Sequence, residues 1–154
     1  MTNDLHIRTA TQADLEMLLA LYGQLHPGGP ALSARDAATI LDRFLRYDGS
    51  AIFLGLKAEV LVTSCALVVV PNLTWGGAPY ALIENVVTDA GSRKRGYGQA
   101  ILQAAITTAW QSGCYKVMLL TGSKDPATLK FYQSVGFEQS KTGFQIRQVP
   151  ARAS

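Results

Sequence analysis

One stretch sets the fold and the first functional hypothesis: Val86-Val87-Thr88-Asp89-Ala90-Gly91-Ser92-Arg93-Lys94-Arg95-Gly96-Tyr97-Gly98-Gln99. It follows Tyr80–Thr88, whose apolar and β-branched residues predict a strand. It precedes Gln99–Gln111, where apolar residues recur at helical spacing and predict an amphipathic helix. Glycines 96 and 98 leave room for a ligand to approach the backbone. Three cations beside a helix N-terminus then favour a site for phosphate groups, although a solvated basic turn would have the same composition.

The rest of the chain predicts a mixed α/β domain rather than a doubly wound one. Two helices follow a first strand, two further strands form a hairpin, and a strand–helix–strand unit implies parallel pairing near the C-terminal end. The predicted strands are Leu5–Thr9, Ala51–Leu56, Val60–Val70, Tyr80–Thr88, Tyr115–Thr121 and one or two within Phe137–Gln148. Helices are expected after Thr11, after Ser33, over Gln99–Gln111 and after Asp125-Pro126.

Composition indicates one globular domain over residues 1–154, with 48% hydrophobic and 16% charged residues. The formal net charge of +3 is too small to favour a nucleic-acid partner. Val60–Val70 is too short to span a bilayer, so no membrane partner is expected. The start of the chain has no secretory pattern, which predicts a cytoplasmic protein. Cys65 and Cys114 lack metal-site spacing and are expected to be reduced core thiols.

Two motifs resemble those of the GNAT superfamily of acetyl-CoA-dependent N-acetyltransferases. Arg93, Gly96 and Gly98 match the fixed positions of its cofactor signature [Q/R]-x-x-G-x-[G/A], and 127–137 is similar to its late A-x-x-x-F-Y-x-x-x-G-F segment. The resemblance implies a central, mostly antiparallel sheet of six or seven strands. Its parallel fourth and fifth strands are splayed around the cofactor, and about four helices flank the sheet. Homodimers are frequent in the family, so a homodimer is one assembly that the resemblance allows.

The resemblance also implies an activity: transfer of the acetyl group of acetyl-CoA, as cosubstrate, to a primary amine of a small molecule by direct attack. A protein or peptide amine as acceptor, or a non-catalytic acyl-CoA-binding regulatory module, are the alternatives. The residues implied to bind acetyl-CoA lie at the end of the fourth strand, in the basic loop and after the fifth strand: Val86, Val87, Thr88, Arg93, Lys94, Arg95, Gly96, Tyr97, Gly98, Gln99 and Ser123. Ser123 stands where many relatives carry an asparagine.

Two residues are predicted to move protons in such a transfer. Glu84 lies among Leu82, Ile83 and Val86, and an apolar setting would favour proton uptake by its carboxylate from the amine. A solvated or ion-paired glutamate is the alternative. Tyr132 matches the family tyrosine that protonates the departing sulfur, and a phenol can donate a proton. A packing role on the helix face is its alternative.

The acceptor is expected to contact the loops at Leu25–Leu32 and Asn72–Tyr80. Within these loops the predicted substrate-binding residues are His26, Trp75 and Tyr80, which offer an imidazole and two aromatic surfaces. Glucosamine 6-phosphate and aminoalkylphosphonate acetyltransferases have a similar fourth strand, but these loops contain no clear cation for a phosphate. The two histidines have no converging ligands, so no metal site is predicted.

Overall fold

The computed structural model describes residues 4–148, and the chain divides after Leu119 into two compact units. The first unit contains all five strands and three of the four α-helices. The strands are β1 (His6–Thr9), β2 (Ser50–Lys57), β3 (Val60–Val70), β4 (Tyr80–Thr88) and β5 (Lys116–Met118). The helices are α1 (Leu15–Tyr22), α2 (Ala34–Arg46), α3 (Tyr97–Gln111) and, in the second unit, α4 (Pro126–Ser134).

The sheet has the order β1-β2-β3-β4-β5, so every strand lies beside its neighbour in sequence. The first three pairings are antiparallel, and β4 with β5 is parallel. The β2–β3 hairpin turns at Ala58 and Glu59, which both have positive φ angles (46° and 64°). Two left-handed residues in succession match the right-handed twist of the flanking strands, and this turn closes the predicted hairpin.

Helices cover both faces of the sheet. Leu18 and Leu21 of α1 join Leu41 of α2 in one buried cluster with Leu54 and Ala66 of the sheet. On the opposite face, the Cys65 thiol donates to the carbonyl of Ile101 in α3 (3.7 Å). The inner face of α3 is buried as its spacing predicts, at Ile101, Leu102, Ala105, Ile106 and Ala109.

The predicted helix boundaries rest on caps that the structure contains. The Ser33 hydroxyl accepts from the Asp36 N–H at the start of α2 (3.0 Å), and the Asp125 carboxylate accepts from the Ala127 N–H at the start of α4 (2.9 Å). Gly113 follows α3 with a φ of 79°, the left-handed conformation that a residue after a helix C-cap adopts. The Ser33 and Asp125 side chains each accept from a backbone N–H that has no partner within its own helix. Gly113 provides the left-handed residue at which the chain leaves α3.

The prediction of six or seven strands is wrong for the described residues, which form five. No strand lies within 137–148, and β5 is shorter than the predicted Tyr115–Thr121. A strand requires a partner as well as a suitable sequence. Residues 138–148 make no hydrogen bond within the described part of the chain. This segment therefore has the sequence pattern of a strand but lacks the hydrogen-bonded partner that would make it one.

Candidate functional site

The fourth strand contains a β-bulge next to Glu84. Ala66 of β3 faces Glu84, but Ser64 faces Val87, so two β4 residues lie opposite Cys65 alone. One of the two, Asn85, has a φ of 52°, a left-handed conformation that asparagine tolerates better than most residues. The extra residue shifts the alternation of the strand, so that Glu84 and Asn85 are both exposed while Val87 is buried.

The second half of β4 has a free edge. The parallel ladder with β5 ends at the pair Leu82–Met118, and no strand among residues 4–148 continues it along 83–88. This is where the predicted cofactor contacts Val86, Val87 and Thr88 lie. An unpaired strand edge offers backbone donors and acceptors to an extended ligand. The splay of β4 and β5 around a cofactor stays a prediction.

The basic loop leads directly into the N-terminus of α3. Gly96 caps the helix in a left-handed conformation (φ 80°), and Lys94 before it is also left-handed (φ 60°). The first intrahelical bond runs from the Ala100 N–H to the Gly96 carbonyl (3.0 Å). The N–H groups of Tyr97 and Gly98 precede it and have no acceptor within the helix. This loop and helix start can therefore hold an anion.

The Tyr97 side chain turns into the protein and does not line this loop. Only 3% of it is exposed, and its hydroxyl lies 3.4 Å from the Asp4 carboxylate, to which it donates. Tyr97 can serve the predicted cofactor site only through its backbone. Gln99, also predicted there, occupies the first turn of α3 and is exposed.

The three cations of the loop point outward. Arg93, Lys94 and Arg95 are exposed, and no carboxylate among the described residues lies within salt-bridge distance of them. The Arg93 Nε donates to the carbonyl of Thr88 (3.3 Å), which fixes this side chain against the end of β4. Exposed cations beside a helix N-terminus produce a positive local potential, as the sequence predicted.

Gln24 connects the end of α1 to the same loop. Its amide donates to the Asp89 carboxylate (2.8 Å) and its carbonyl accepts from the Ala90 N–H (2.9 Å). The donation from Gln24 lowers the pKa of Asp89. The chain leaving α1, which leads into the predicted acceptor loop, is therefore tied to the loop that precedes the cations.

Glu84 is exposed, so the prediction of an apolar enclosure around it is wrong. Regular alternation explains the difference, because Glu84 lies two residues after the exposed Leu82 and on the same side of β4, while the bulge adds Asn85 to the exposed residues. Tyr80, Leu82 and Glu84 share one face of the strand. The role of Glu84 as a base stays a prediction.

Trp75 and Tyr80 lie in an aromatic group at the start of β4. The Trp75 ring is 71% exposed and stacks on Tyr115 (centroids 5.2 Å apart). The Lys116 ammonium lies 5.6 Å from the Tyr80 ring and 5.2 Å from the Tyr115 ring. Lys116 is a cation that the sequence search of the acceptor loops missed, because it comes from β5. His26 is exposed in the other predicted acceptor loop, apart in sequence from this group.

Ser123 and Tyr132 belong to the second unit. The Ser123 hydroxyl donates to Thr128 (3.2 Å) and accepts from the Asp125 N–H (3.2 Å), so it takes part in the turn that starts α4. The Tyr132 ring is half-buried and packs edge-on against Phe131 and Phe137, with centroids 5.0 and 6.2 Å away. Helix α4 has no fully buried residue, and Ala127, Phe131 and Val135 are at most half-buried.

Sequence reasoning missed Asn85 and Gln24. The break in alternation at Glu84-Asn85-Val86-Val87 was the available signal for the bulge, because a regular half-buried strand would not place two polar and then two apolar residues together. Gln24 carried no signal, since its partners lie more than sixty residues away in sequence.

Residues 4–148 contain no group of three or more His, Cys, Asp or Glu side chains that could hold a metal ion. No helix in the same range combines the length and the apolar character that crossing a bilayer requires.

Comparison with known proteins agrees with this geometry. The Acetyltransferase (GNAT) family matches residues 15–137. A glucosamine 6-phosphate N-acetyltransferase of Trypanosoma brucei brucei is 33% identical over 135 residues, covering 87% of this chain and 89% of that protein. A solved structure from Agrobacterium tumefaciens str. C58, assigned as an acetyltransferase, is 48% identical and superposes with a TM-score of 0.89 over 93% of this chain and 99% of the other.

The Arabidopsis thaliana glucosamine-6-phosphate N-acetyltransferase shares the fold at 17% identity, with a TM-score of 0.84 over 94% of this chain and 99% of that one. The match to the family extends from α1 to the end of the A-x-x-x-F-Y-x-x-x-G-F segment, and it includes the bulged strand and the basic loop. The chain belongs to the GNAT acetyltransferase family, and it is an acyltransferase.

Proposed function

We propose that this protein transfers the acetyl group of acetyl-CoA to a primary amine of a small molecule. One observation carries the proposal: the free edge of β4 leads directly to the N-terminus of α3, where three exposed cations have no carboxylate within salt-bridge distance among the described residues. A strand edge suits an extended amide-containing arm, and a cationic helix N-terminus suits a pyrophosphate. The strand edge and the helix N-terminus together fit a ligand that has both an amide-containing arm and a pyrophosphate, as CoA has.

The residues present fit acetyl-CoA. The backbone of Val86, Val87 and Thr88 would pair with the pantetheine arm, and the loop from Arg93 to Gln99 would hold the pyrophosphate. Ser123 is a proposed further contact. The bound cosubstrate supplies an activated acetyl group as a thioester, and no nucleophilic side chain is required.

Glu84 is the proposed base and Tyr132 the proposed acid. Glu84 takes one proton from the protonated amine, and the neutral nitrogen then forms the new bond to the acetyl carbon as the carbon–sulfur bond breaks. The nitrogen loses its second proton to solvent as the amide forms. The Tyr132 hydroxyl gives its proton to the leaving sulfur and regains one from solvent. Glu84 is exposed and can pass the proton it has gained to solvent. His26, Trp75 and Tyr80 are the proposed acceptor contacts.

An amine panel with detection of free CoA thiol tests the proposal. Glucosamine 6-phosphate is the first acceptor to try, because the Trypanosoma relative carries that name. Polyamines, amino acids, aminoglycosides and an amine-bearing peptide complete the panel. We expect turnover with at least one small amine and a large loss of turnover in Glu84→Gln. Binding of acetyl-CoA without turnover of any amine would indicate a regulatory module instead.

Gly98→Glu tests the cofactor site. The substitution places bulk and negative charge at the second residue of α3, so acetyl-CoA affinity should fall at least about a hundredfold. Titration calorimetry measures the affinity. Gln103→Glu adds the same charge at an exposed position of the same helix and should leave affinity unchanged. Equal affinities in the two variants would place the pyrophosphate elsewhere.

Tyr132→Phe tests the acid. The ring packing against Phe131 and Phe137 is retained, so turnover should fall about a hundredfold while acetyl-CoA affinity stays within about twofold. Steady-state kinetics and calorimetry on the same preparation give both quantities. A parallel loss of affinity and turnover would indicate a packing role.

A further inference from the structure

The Gln24 side chain joins two parts of the protein that the proposed function assigns to different ligands. Its amide group donates to the Asp89 carboxylate (2.8 Å) and accepts from the Ala90 N–H (2.9 Å), at the point where β4 enters the basic loop. A carboxylate only accepts and a backbone N–H only donates, so both ends of the amide are fixed. Residues 25–32, the loop that is expected to contact the amine, begin at the next residue.

Both ends of this connection are held by the backbone. Gln24 lies in the turn that ends α1, where its N–H donates to the Leu21 carbonyl (3.0 Å). Asp89 follows β4, where its N–H donates to the Val62 carbonyl of β3 (2.8 Å), and its carboxylate also accepts from the Ser92 hydroxyl (3.2 Å). The two hydrogen bonds of Gln24 therefore connect two ordered segments, so a restraint on one is transmitted to the other.

Tyr22 provides a second contact from the same turn of chain. It is the last residue of α1, and its hydroxyl is buried. Burial raises the pKa of Tyr22, and the neighbouring side chains of Ser64 and Asn85 oppose that rise, which places the phenol beside the bulge of β4. The end of α1 thus contacts β4 before the free edge 86–88, at Asn85, and after it, at Asp89.

We propose that Gln24 is a positioning residue that couples cofactor binding to the order of the acceptor loop. The coupling rests on the proposed cofactor site. CoA bound along 86–88 and at the basic loop restrains Asp89 and Ala90, and Gln24 transmits the restraint to residues 25–32, which contain no helix or strand. Coupling between two sites is reciprocal, so an amine that orders this loop tightens the binding of acetyl-CoA by the same factor.

Amide hydrogen exchange with CoA as the probe tests the coupling and needs no known acceptor. In the wild-type protein, saturating CoA should slow exchange at least about threefold in residues 25–32 as well as in residues 93–99. Gln24→Met keeps the length of the side chain and loses both hydrogen bonds. In this variant CoA should still slow exchange in 93–99, but it should leave 25–32 unchanged.

Gln12→Ala is the matched control. The Gln12 side chain also connects two elements, since it donates to the Ala38 carbonyl of α2 (2.9 Å), but neither residue belongs to the cofactor or acceptor loops. This variant should respond to CoA as the wild-type protein does. Each protein is compared with its own exchange in the absence of CoA, so a general loosening of the fold does not imitate the expected result.

The outcomes separate this coupling from the proposed function. If CoA slows exchange in 93–99 of the wild-type protein but not in 25–32, the cofactor site is right and the coupling is wrong. If residues 25–32 of Gln24→Met respond to CoA as those of the wild type do, another contact transmits the restraint and the role of Gln24 is wrong. Unchanged exchange in both segments at saturating CoA would contradict the cofactor site itself, and the coupling with it.

Discussion

β3 and residues 142–148 both have sequences that favour a strand, but their surroundings are very different. β3 is paired along both edges, with β2 and β4, and most of its side chains are buried. Residues 142–148 have the alternation of a strand, yet they are exposed along their whole length. The comparison shows that a suitable sequence is not sufficient for a strand, because the stability of a strand comes from its partner strands and its covered face.

Truncating one apolar side chain in each region should give the largest contrast. Leu67 of β3 is 1% exposed, and Leu67→Ala should lower the free energy of unfolding by about 2–5 kcal/mol, because it leaves a cavity in the core. Ile146→Ala should change it by less than about 0.5 kcal/mol in a dilute, monomeric sample. Urea denaturation measures both. A loss at Ile146 as large as that at Leu67 would mean that the segment is packed within its own chain.

Adding a methyl group gives a second contrast. A Cβ at Gly55 of β2 would lie 2.5 Å from the Thr63 Cγ2 in the buried hairpin, so Gly55→Ala should cost about 1–3 kcal/mol. A Cβ at Gly143 would meet only the end of the exposed Leu120 side chain, which can rotate away. Gly143→Ala should therefore be close to neutral. Thermal unfolding of the two variants side by side would show whether the packing at Gly55 and at Gly143 differs as described.

The edge strand β1 provides a smaller test, because it shows how an edge is anchored within one chain. Arg8 of β1 donates two hydrogen bonds to the buried Asp14 carboxylate (both 2.7 Å), which also accepts from the Thr11 N–H (2.8 Å). The bonds from Arg8 lower the pKa of Asp14 to about 2. Because this is below the usual 3.8, the stabilisation is complete above about pH 4 and is lost as pH falls through 2.

We expect the Arg8–Asp14 pair to contribute about 1–2 kcal/mol to the free energy of unfolding. This figure is reduced for solvent screening, because the Arg8 side chain is one-third exposed. Asp14→Asn should remove it and should flatten the fall in stability between pH 4 and pH 2. Denaturation at a series of pH values compares the two proteins. An identical acid slope in wild type and Asp14→Asn would show that other carboxylates cause the acid sensitivity.

Local signals predicted most of the elements. Caps at Ser33 and Asp125, the apolar stripe of α3 and the hairpin between β2 and β3 all depend on residues close in sequence. The strand count could not be predicted, because pairing of residues 137–148 depends on whether another strand lies beside them. A sequence pattern contains no information about that.

The candidate site also has a part that local sequence could predict and a part that it could not. The basic loop and the helix after it could be predicted from composition and spacing, although α3 begins at Tyr97, two residues before the predicted Gln99. The bulge that exposes Asn85 beside Glu84 was not predicted, because it involves the register of β3 against β4. Lys116 reaches Tyr80 through the parallel pairing of two strands, a contact between distant parts of the chain.

Burial of the two cysteines makes the folded protein almost inert to thiol reagents. Burial raises the pKa of Cys65 to about 12, and it also raises that of Cys114. At neutral pH only about one Cys65 in 10⁵ is then a thiolate, the form that reacts. A colour reagent for thiols would consequently count released CoA with almost no background from the enzyme. The same reagent without substrate would report the rate at which the core opens.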